Sequence, residues 1–116
     1  MLISPTGQCQ PLKYLKKHRE TAPRMKARID GVDRNGPPEN PELFKWLDNH
    51  KYKGFRLCEY KVHSPRACRA YAFQTNRGFV IVRIEDKTEN DQQFNETMES
   101  VKATIDRFLE EGSEYV

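Results

Sequence analysis

Between residues 55 and 86, apolar and polar residues alternate as they do in β-strands. The segments FRLCEYKV, ACRAYAFQ and FVIVRIED are separated by the short, turn-like sequences HSPR and TNRG. Short separators of this kind join antiparallel neighbours. The pattern therefore predicts an antiparallel meander with strands at residues 55–62, 67–75 and 78–85.

The segment from residue 91 to residue 110 follows a helical period instead. Its apolar residues recur at intervals of three or four, at Phe94, Met98, Val101, Ile105 and Phe108. Most of the positions between them are acidic or polar, which is typical of a helix that buries one face. We predict a C-terminal amphipathic helix over 91–110 whose five apolar side chains reach the core.

Two shorter helical segments precede the strands, and each has apolar residues along one side. The first runs from Pro11 to about Glu20 and the second from Pro23 to Arg34. Proline in the first turn and the sequence NGPP after the second segment are helix boundary signals. Together they predict a helical hairpin with a basic outer face, on which we place Lys16 and Lys17 as candidate RNA-binding residues.

The remaining segment, residues 36–54, is rich in proline and predicts a connector anchored on the core. The anchors are Leu43, Phe44, Trp46 and Leu47. The order of elements predicts the α+β class, with an N-terminal helical hairpin, a three- to four-stranded antiparallel sheet and a C-terminal amphipathic helix. We expect the helices to pack on one face of the sheet, so that the other face is open for binding.

Length and composition limit the kind of protein. The 116 residues suffice for a single domain spanning 1–116, and 12 aromatic residues are too many for a disordered chain. No apolar run is long enough to span a membrane, and MLISPTGQ lacks the pattern of a signal peptide. We therefore expect a cytoplasmic protein without a membrane partner.

Charge is distributed unevenly along the chain. Residues 1–84 contain 17 Lys and Arg against 7 acidic residues, whereas residues 85–116 contain 3 against 10. A net charge of +10 followed by one of −7 indicates a basic working surface and an acidic C-terminal segment.

Three cysteines in a chain without an export signal predict reduced thiols. A metal site could be assembled from Cys58, His63 and Cys68, but their spacing matches no zinc motif. We predict neither a metal nor a cofactor.

Charged residues inside the predicted strands are candidates for function. Residues of one parity share a face of a strand, and one register would place a cationic set on a common, exposed face. That set is Lys61, Arg69 and Arg83, around Tyr71. Guanidinium groups match the geometry of phosphate, so such a face would bind a phosphate backbone. A structural interpretation remains open, in which Arg69 pairs with Glu59 or Glu85 across strands.

The same face has groups that cleavage of RNA through its own 2′-hydroxyl requires. The reaction needs a base, cations that stabilise the pentavalent phosphorane and an acid for the leaving oxygen. Arg69 and Lys61 would stabilise the phosphate. Tyr71 would stack on a base or transfer a proton, and His63 is the histidine placed to reach this face.

The segments LCEYKV, CRAYAF and FVIVRIEDKT, followed by a long amphipathic helix, resemble the RelE/HigB toxin superfamily, in particular its phage-derived HigB-like branch. The resemblance covers roughly residues 12–109. LCEYK corresponds to a Leu-x-Glu-Leu-Arg strand, with Lys61 in place of the arginine. Arg69 begins the second motif, and Asp86-Lys87-Thr88 stands for Lys-Lys-Thr.

This resemblance implies a RelE-like fold and the toxin of a type II toxin–antitoxin system. Such toxins are ribosome-dependent messenger RNA endonucleases that a cognate antitoxin protein neutralises. The resemblance assigns Lys61, Arg69 and Lys87 to the cleavage site, and we predict that Lys87 and Arg83 bind the RNA there. Asp86 departs from the pattern and is expected to place a negative charge near the phosphate. The alternative is a non-catalytic protein that binds nucleic acid or protein, as ParE-like members or an inactive phage accessory protein would.

Overall fold

A computed structural model describes residues 2–3, 9–111 and 114–115. Its main elements are three α-helices and a four-stranded antiparallel sheet of order β2-β3-β4-β5. The helices are α1 (Gln10–Lys17), α2 (Ala22–Asn35) and α3 (Asp91–Glu111). The strands of this sheet are β2 (Phe44–Trp46), β3 (Leu57–Val62), β4 (Cys68–Thr75) and β5 (Gly78–Asp86). A separate antiparallel pair joins β1 (Leu2–Ile3) to β6 (Glu114–Tyr115).

The predicted α+β class is confirmed, and the predicted helices and strands are present with small shifts at their ends. The first helix ends at Lys17 rather than near Glu20. The second ends at Asn35 and is capped by Gly36, which has a φ of 80° and donates its backbone N–H to the Val32 carbonyl. Glycine adopts this left-handed conformation without steric cost. No helix in the described part of the chain is long and apolar enough to cross a membrane.

The segment at 36–54 is not only a connector, because it contains the edge strand β2. Phe44 pairs with Tyr60 and Trp46 pairs with Cys58 in antiparallel register. A strand of three residues is too short for an alternating pattern to be visible in the sequence. Of the predicted anchors, Phe44 and Leu47 are buried, and Leu43 and Trp46 are partly buried.

The prediction that all helices pack on one face of the sheet is wrong. The first two helices cover one face, where α1 packs against β5 and α2 against β3, and α3 covers the opposite face. The reason is visible in β4, where Ala70 and Ala72 belong to one core cluster and Tyr71 and Phe73 to the other. A strand that is apolar on both faces is stable only between two layers.

The C-terminal helix buries its apolar stripe as predicted. Met98, Val101 and Ile105 are at most 1% exposed, and Phe94 and Phe108 are partly buried beside them. Two polar contacts add to this packing. Thr97 donates to Glu85 at 2.8 Å, and Tyr52 donates to the Asp106 carboxylate at 3.0 Å.

A β-bulge in β5 determines which residues share the α3 face. Phe73 pairs with Val80 and Ala72 with Ile81, but Tyr71 pairs with Arg83, so that Val82 is the additional residue. A bulge of one residue exchanges the faces of all residues beyond it. Arg83 therefore lies on the same face as Tyr71.

Candidate nucleic-acid interface at one end of the sheet

The strand register aligns the charged residues of the α3 face in two rows. The outer row, nearest the β3–β4 loop, contains Lys61, Arg69 and Glu85. The next row contains Glu59, Tyr71 and Arg83. The register therefore places Lys61, Arg69 and Arg83 on one face around Tyr71. The sequence alone predicted this arrangement for only one of the possible registers.

Arg69 is not exposed as the sequence analysis expected, because only 6% of its surface is accessible. It is not paired with a glutamate either. Its Nη1 donates to the backbone carbonyl of Cys68 at 3.0 Å and, more weakly, to that of Val62 at 3.4 Å. Carbonyl oxygens satisfy part of the guanidinium without neutralising its charge. Arg69 therefore retains its positive charge without an ion pair to any described carboxylate.

Tyr71 is 1% exposed and belongs to the core beneath α3. Burial raises the pKa of the Tyr71 hydroxyl, and the nearby carboxylates of Glu59 and Glu85 raise it further. The side chain is consequently neutral at physiological pH. In this structure Tyr71 has no free ring face on which an RNA base could stack, in contrast to the exposure expected from the sequence.

Arg83, a predicted RNA-binding residue, has an intramolecular partner. Its Nε donates to Glu85 Oε1, while Glu85 Oε2 accepts from Thr97. The open cleft beside this pair has a volume of about 540 Å³. Its charged lining consists of Arg83, Lys87, Glu85, Asp86, Glu89 and Glu96. With four carboxylates against two cations, this cleft is unfavourable for phosphate.

The end of β3 and the loop after it are in contact with three arginines, two from α2 and one from β4. On the α2 side, Arg28 Nε donates to the Lys61 carbonyl at 3.1 Å and Arg24 Nη1 to Ser64 Oγ at 2.7 Å. On the α3 side, Arg69 Nη1 donates to the Val62 carbonyl. We call this region the basic end of the sheet and define it by Arg24, Arg28, Lys61, His63 and Arg69.

Four cations of the basic end have no ion pair with a carboxylate anywhere in residues 9–111 for which side chains are described. They are Arg24, Arg28, Lys61 and Arg69. Unpaired like charges repel one another, and a polyanion would relieve that repulsion. The sequence located Arg24 and Arg28 only within a basic helix. Their convergence on β3 depends on where α2 crosses the sheet, which no local pattern specifies.

His63 is at the basic end, as expected for a residue in the β3–β4 loop. Its side chain is 46% exposed, and Nε2 lies 2.6 Å from the Glu42 backbone carbonyl. The Glu42 carboxylate is 3.8 Å from the same nitrogen. The imidazole is thus positioned by a hydrogen bond while remaining open to solvent.

The register does not place Asp86, which was expected to bring a negative charge near the phosphate, beside Arg69. Asp86 pairs with Cys68, so its side chain lies on the face opposite to Arg69. There its carboxylate accepts hydrogen bonds from the Tyr14 hydroxyl at 2.6 Å and from Arg66 at 2.8 Å. Burial, followed by this hydrogen bond to Asp86, raises the pKa of Tyr14.

The remaining predicted RNA-binding residues lie at the surface. Lys16 and Lys17 are exposed in the last turn of α1. Lys87 is exposed, and its backbone N–H bonds to Ala67 next to the β3–β4 loop. From residue 13 to residue 28 the chain has seven Lys and Arg and one acidic residue. These helices therefore extend the positive surface beyond the basic end.

The three residues considered as a metal site, Cys58, His63 and Cys68, do not form a cluster. Cys58 and Cys68 are buried in the sheet, whereas His63 is at the surface. Among the residues whose side chains are described, no group of three or more His, Cys, Asp and Glu is placed to hold a metal ion.

Comparison of the chain with protein-family models, curated proteins and solved structures found no match. The likeness to the RelE/HigB superfamily therefore depends on the motifs of this sequence alone. The strand register places two residues of these motifs, Lys61 and Arg69, in the outer row of the sheet.

Proposed function

We propose that the protein is the toxin of a type II toxin–antitoxin system, an endoribonuclease that cleaves messenger RNA on the ribosome. In this proposal α1 and α2 are the helical hairpin of a RelE-like fold, and a cognate antitoxin protein neutralises the activity. One observation carries it: Arg24, Arg28, Lys61 and Arg69 surround the end of β3, and none of them has a carboxylate partner among the side chains that the structure describes. A site of this charge favours a phosphate backbone.

The proposed reaction is an attack of the ribose 2′-oxygen on the adjacent phosphorus. The bond from phosphorus to the 5′-oxygen breaks, which leaves a 2′,3′-cyclic phosphate and a 5′-hydroxyl. The 2′-hydroxyl proton passes to a base, and the leaving oxygen receives a proton from an acid. Because the substrate supplies its own nucleophile, no step requires a metal or a cofactor.

The outer row supplies the cations for this reaction. Two carbonyl contacts orient Arg69, and a donor held in place before the reaction stabilises charge that develops on the phosphorane. Lys61 is partly exposed, so the phosphate would approach from its side of the row. His63 is the proposed proton-transfer group because an imidazole ring can both donate and accept a proton and this ring is open to solvent.

The test is cleavage of message on translating ribosomes by purified protein, with cut sites mapped by primer extension. We expect Arg69→Ala to lower the cleavage rate by about a hundredfold or more, the usual loss for a contact that stabilises transition-state charge. Arg69→Lys should be intermediate because it keeps the charge without the planar fork. Arg77→Ala, in the exposed β4–β5 turn, is the matched control and should cleave normally.

Because Arg69 is buried and bonded to two carbonyls, Arg69→Ala should also lower the free energy of unfolding, by about 1–3 kcal/mol. Cleavage is therefore measured below the melting temperature of each variant, and Lys61→Ala provides a second, partly exposed site. Full activity of both alanine variants, or absence of cleavage by the wild-type protein, would contradict the proposal.

A second candidate function is binding without cleavage, of nucleic acid or of a protein, as in a ParE-like or inactive phage accessory protein. The observation in its favour is the burial of Arg69 and Tyr71 beneath α3. Under this alternative the wild-type protein binds ribosomes or RNA but leaves the message intact. The cleavage assay distinguishes the two functions directly.

A further inference from the structure

A groove of about 500 Å³ lies between α2 and the end of β3, on the side of the sheet that α3 does not cover. Its lining consists of Arg24, Ala27, Arg28, Val62, His63 and Ser64. The lining includes two guanidinium groups, one imidazole and one hydroxyl, and no carboxylate. One carboxylate, that of Glu42, approaches the lining, with its Oε2 3.8 Å from His63 Nε2.

Both arginines of the groove are oriented by hydrogen bonds that use only part of each guanidinium. Arg28 donates through Nε to the Lys61 carbonyl, which leaves its two terminal nitrogens without a partner among the described residues. Arg24 uses Nη1 for Ser64 Oγ. Two terminal nitrogens of one guanidinium can bind two oxygens of a phosphate at once. The groove therefore has oriented donors for an anion with several oxygens.

We propose that this groove is a subsite that binds a backbone phosphate of single-stranded RNA through Arg24 and Arg28. Its two arginines are apart from the cleavage row, because Lys61 and Arg69 are on the opposite face of the sheet. His63, the proposed proton-transfer group, lines the groove and so connects the two sites. The choice of RNA as the ligand rests on the proposed function. The subsite extends that function by holding the message on one side of β3 while a neighbouring phosphate reaches the other side.

The charge around the groove favours a nucleic acid over an acidic peptide. Seven Lys and Arg against one acid between residues 13 and 28 continue the positive surface along α1 and α2. A regular polyanion that contacts several of these cations releases a counterion at each phosphate, which adds to its affinity. The volume of the groove is also within the range of sites that bind small molecules, so it can hold a nucleotide-sized group.

Binding is tested with a short, fluorescein-labelled single-stranded RNA that is 2′-O-methylated, so that it has no nucleophile and cannot be cleaved. Fluorescence anisotropy at fixed salt would compare the wild-type protein with Arg24→Ala, Arg28→Ala and the double variant. Arg34→Ala is the matched control, since Arg34 is exposed on the same helix, lies outside residues 13–28 and does not line the groove. We expect about a tenfold weaker affinity for each groove arginine variant and a change below twofold for Arg34→Ala.

Arg28 also bonds to the backbone of β3, so its variant could lose affinity through unfolding. Circular dichroism of each variant shows whether it is folded. Arg24→Ala provides a second test, because Arg24 is more exposed than Arg28. Loss of affinity in Arg24→Ala with an unchanged fold supports the subsite. Equal affinities of Arg24→Ala and Arg34→Ala would overturn it, as would inorganic phosphate or an acidic peptide binding as tightly as the RNA.

The same variants separate this inference from the proposed function. If the wild-type protein binds the methylated RNA through the arginines but never cleaves message on ribosomes, the proposed function fails and the subsite stands. If the protein cleaves message and the arginine variants bind and cleave normally, the subsite fails and the endonuclease stands.

Discussion

At the scale of single residues, the arginines near β3 differ in whether a backbone carbonyl or a carboxylate accepts their hydrogen bonds. Arg28 and Arg69 bond to the carbonyls of Lys61 and Val62 from opposite faces of the strand. A carbonyl orients a guanidinium but leaves its net charge intact, whereas a carboxylate cancels it. The charge of Arg83 is cancelled in this way by the carboxylate of Glu85. The distinction separates candidate ligand-binding arginines from structural ones.

The three cysteines provide a prediction at this scale. All are buried, and burial raises the pKa of Cys58 and of Cys68. A raised pKa keeps the thiol protonated, so the reactive thiolate is scarce at pH 8. We expect iodoacetamide to leave the cysteines of the native protein unmodified and to alkylate all three in denaturant, as measured by mass spectrometry. Rapid modification of Cys58 in the folded protein would show that the strand opens locally.

At the scale of elements, α3 is held by an apolar stripe and by polar contacts at two places along its length. Thr97 bonds to Glu85 in β5, and Asp106 accepts from Tyr52 and Lys53 in the segment before β3. The hydrogen bond from Lys53 is the main cause of a lowered pKa at Asp106. These contacts give α3 a defined position across the sheet in addition to its hydrophobic packing.

The packing of α3 can be tested with two substitutions on the same helix. Ile105 is fully buried, whereas Leu109 is 46% exposed. We expect Ile105→Ala to lower the free energy of unfolding by about 2–5 kcal/mol, the usual range for a buried aliphatic side chain, and Leu109→Ala to change it by less than about 1 kcal/mol. Urea denaturation measures both. Equal effects would mean that α3 does not dock on the sheet through Ile105.

At the scale of the whole molecule, charge is separated between the two layers of helices. The part of the chain that contains α1, α2 and the basic end has a net charge of +10, and the part that contains α3 has one of −7. Such a division attracts a polyanion to one side and repels it from the other. If the protein binds RNA as proposed, the RNA should therefore be bound in a preferred orientation.

The salt dependence of RNA affinity tests whether the positively charged side of the protein is the binding surface. If RNA binds through several phosphates, the logarithm of the association constant should fall linearly with the logarithm of salt concentration, by roughly 0.7 per phosphate neutralised on a single strand. Arg24→Ala should reduce the slope, whereas Arg77→Ala should not. The measurement is a titration of labelled RNA at several salt concentrations. An affinity that does not change with salt would contradict binding through the basic surface.

The sequence by itself determined the kinds of elements and the residues that carry charge within them. Alternation over residues 55–86 and the spacing from Phe94 to Phe108 are local patterns, and backbone geometry converts them directly into strands and a helix. The candidate residues Lys61, Arg69 and His63 followed from the same patterns and from the motifs around them. All three belong to the basic end of the sheet.

Only the tertiary structure decided which of these residues are accessible and which others join them. The bulge at Val82 placed Arg83 beside Tyr71 and Glu85 beside Arg69. Packing of α3 over that face buried Arg69 and Tyr71, and the crossing of α2 brought Arg24 and Arg28 to the end of β3. Each result depends on contacts between segments distant in sequence. The free energy of such contacts comes from burial of surface against a partner, which no local pattern contains.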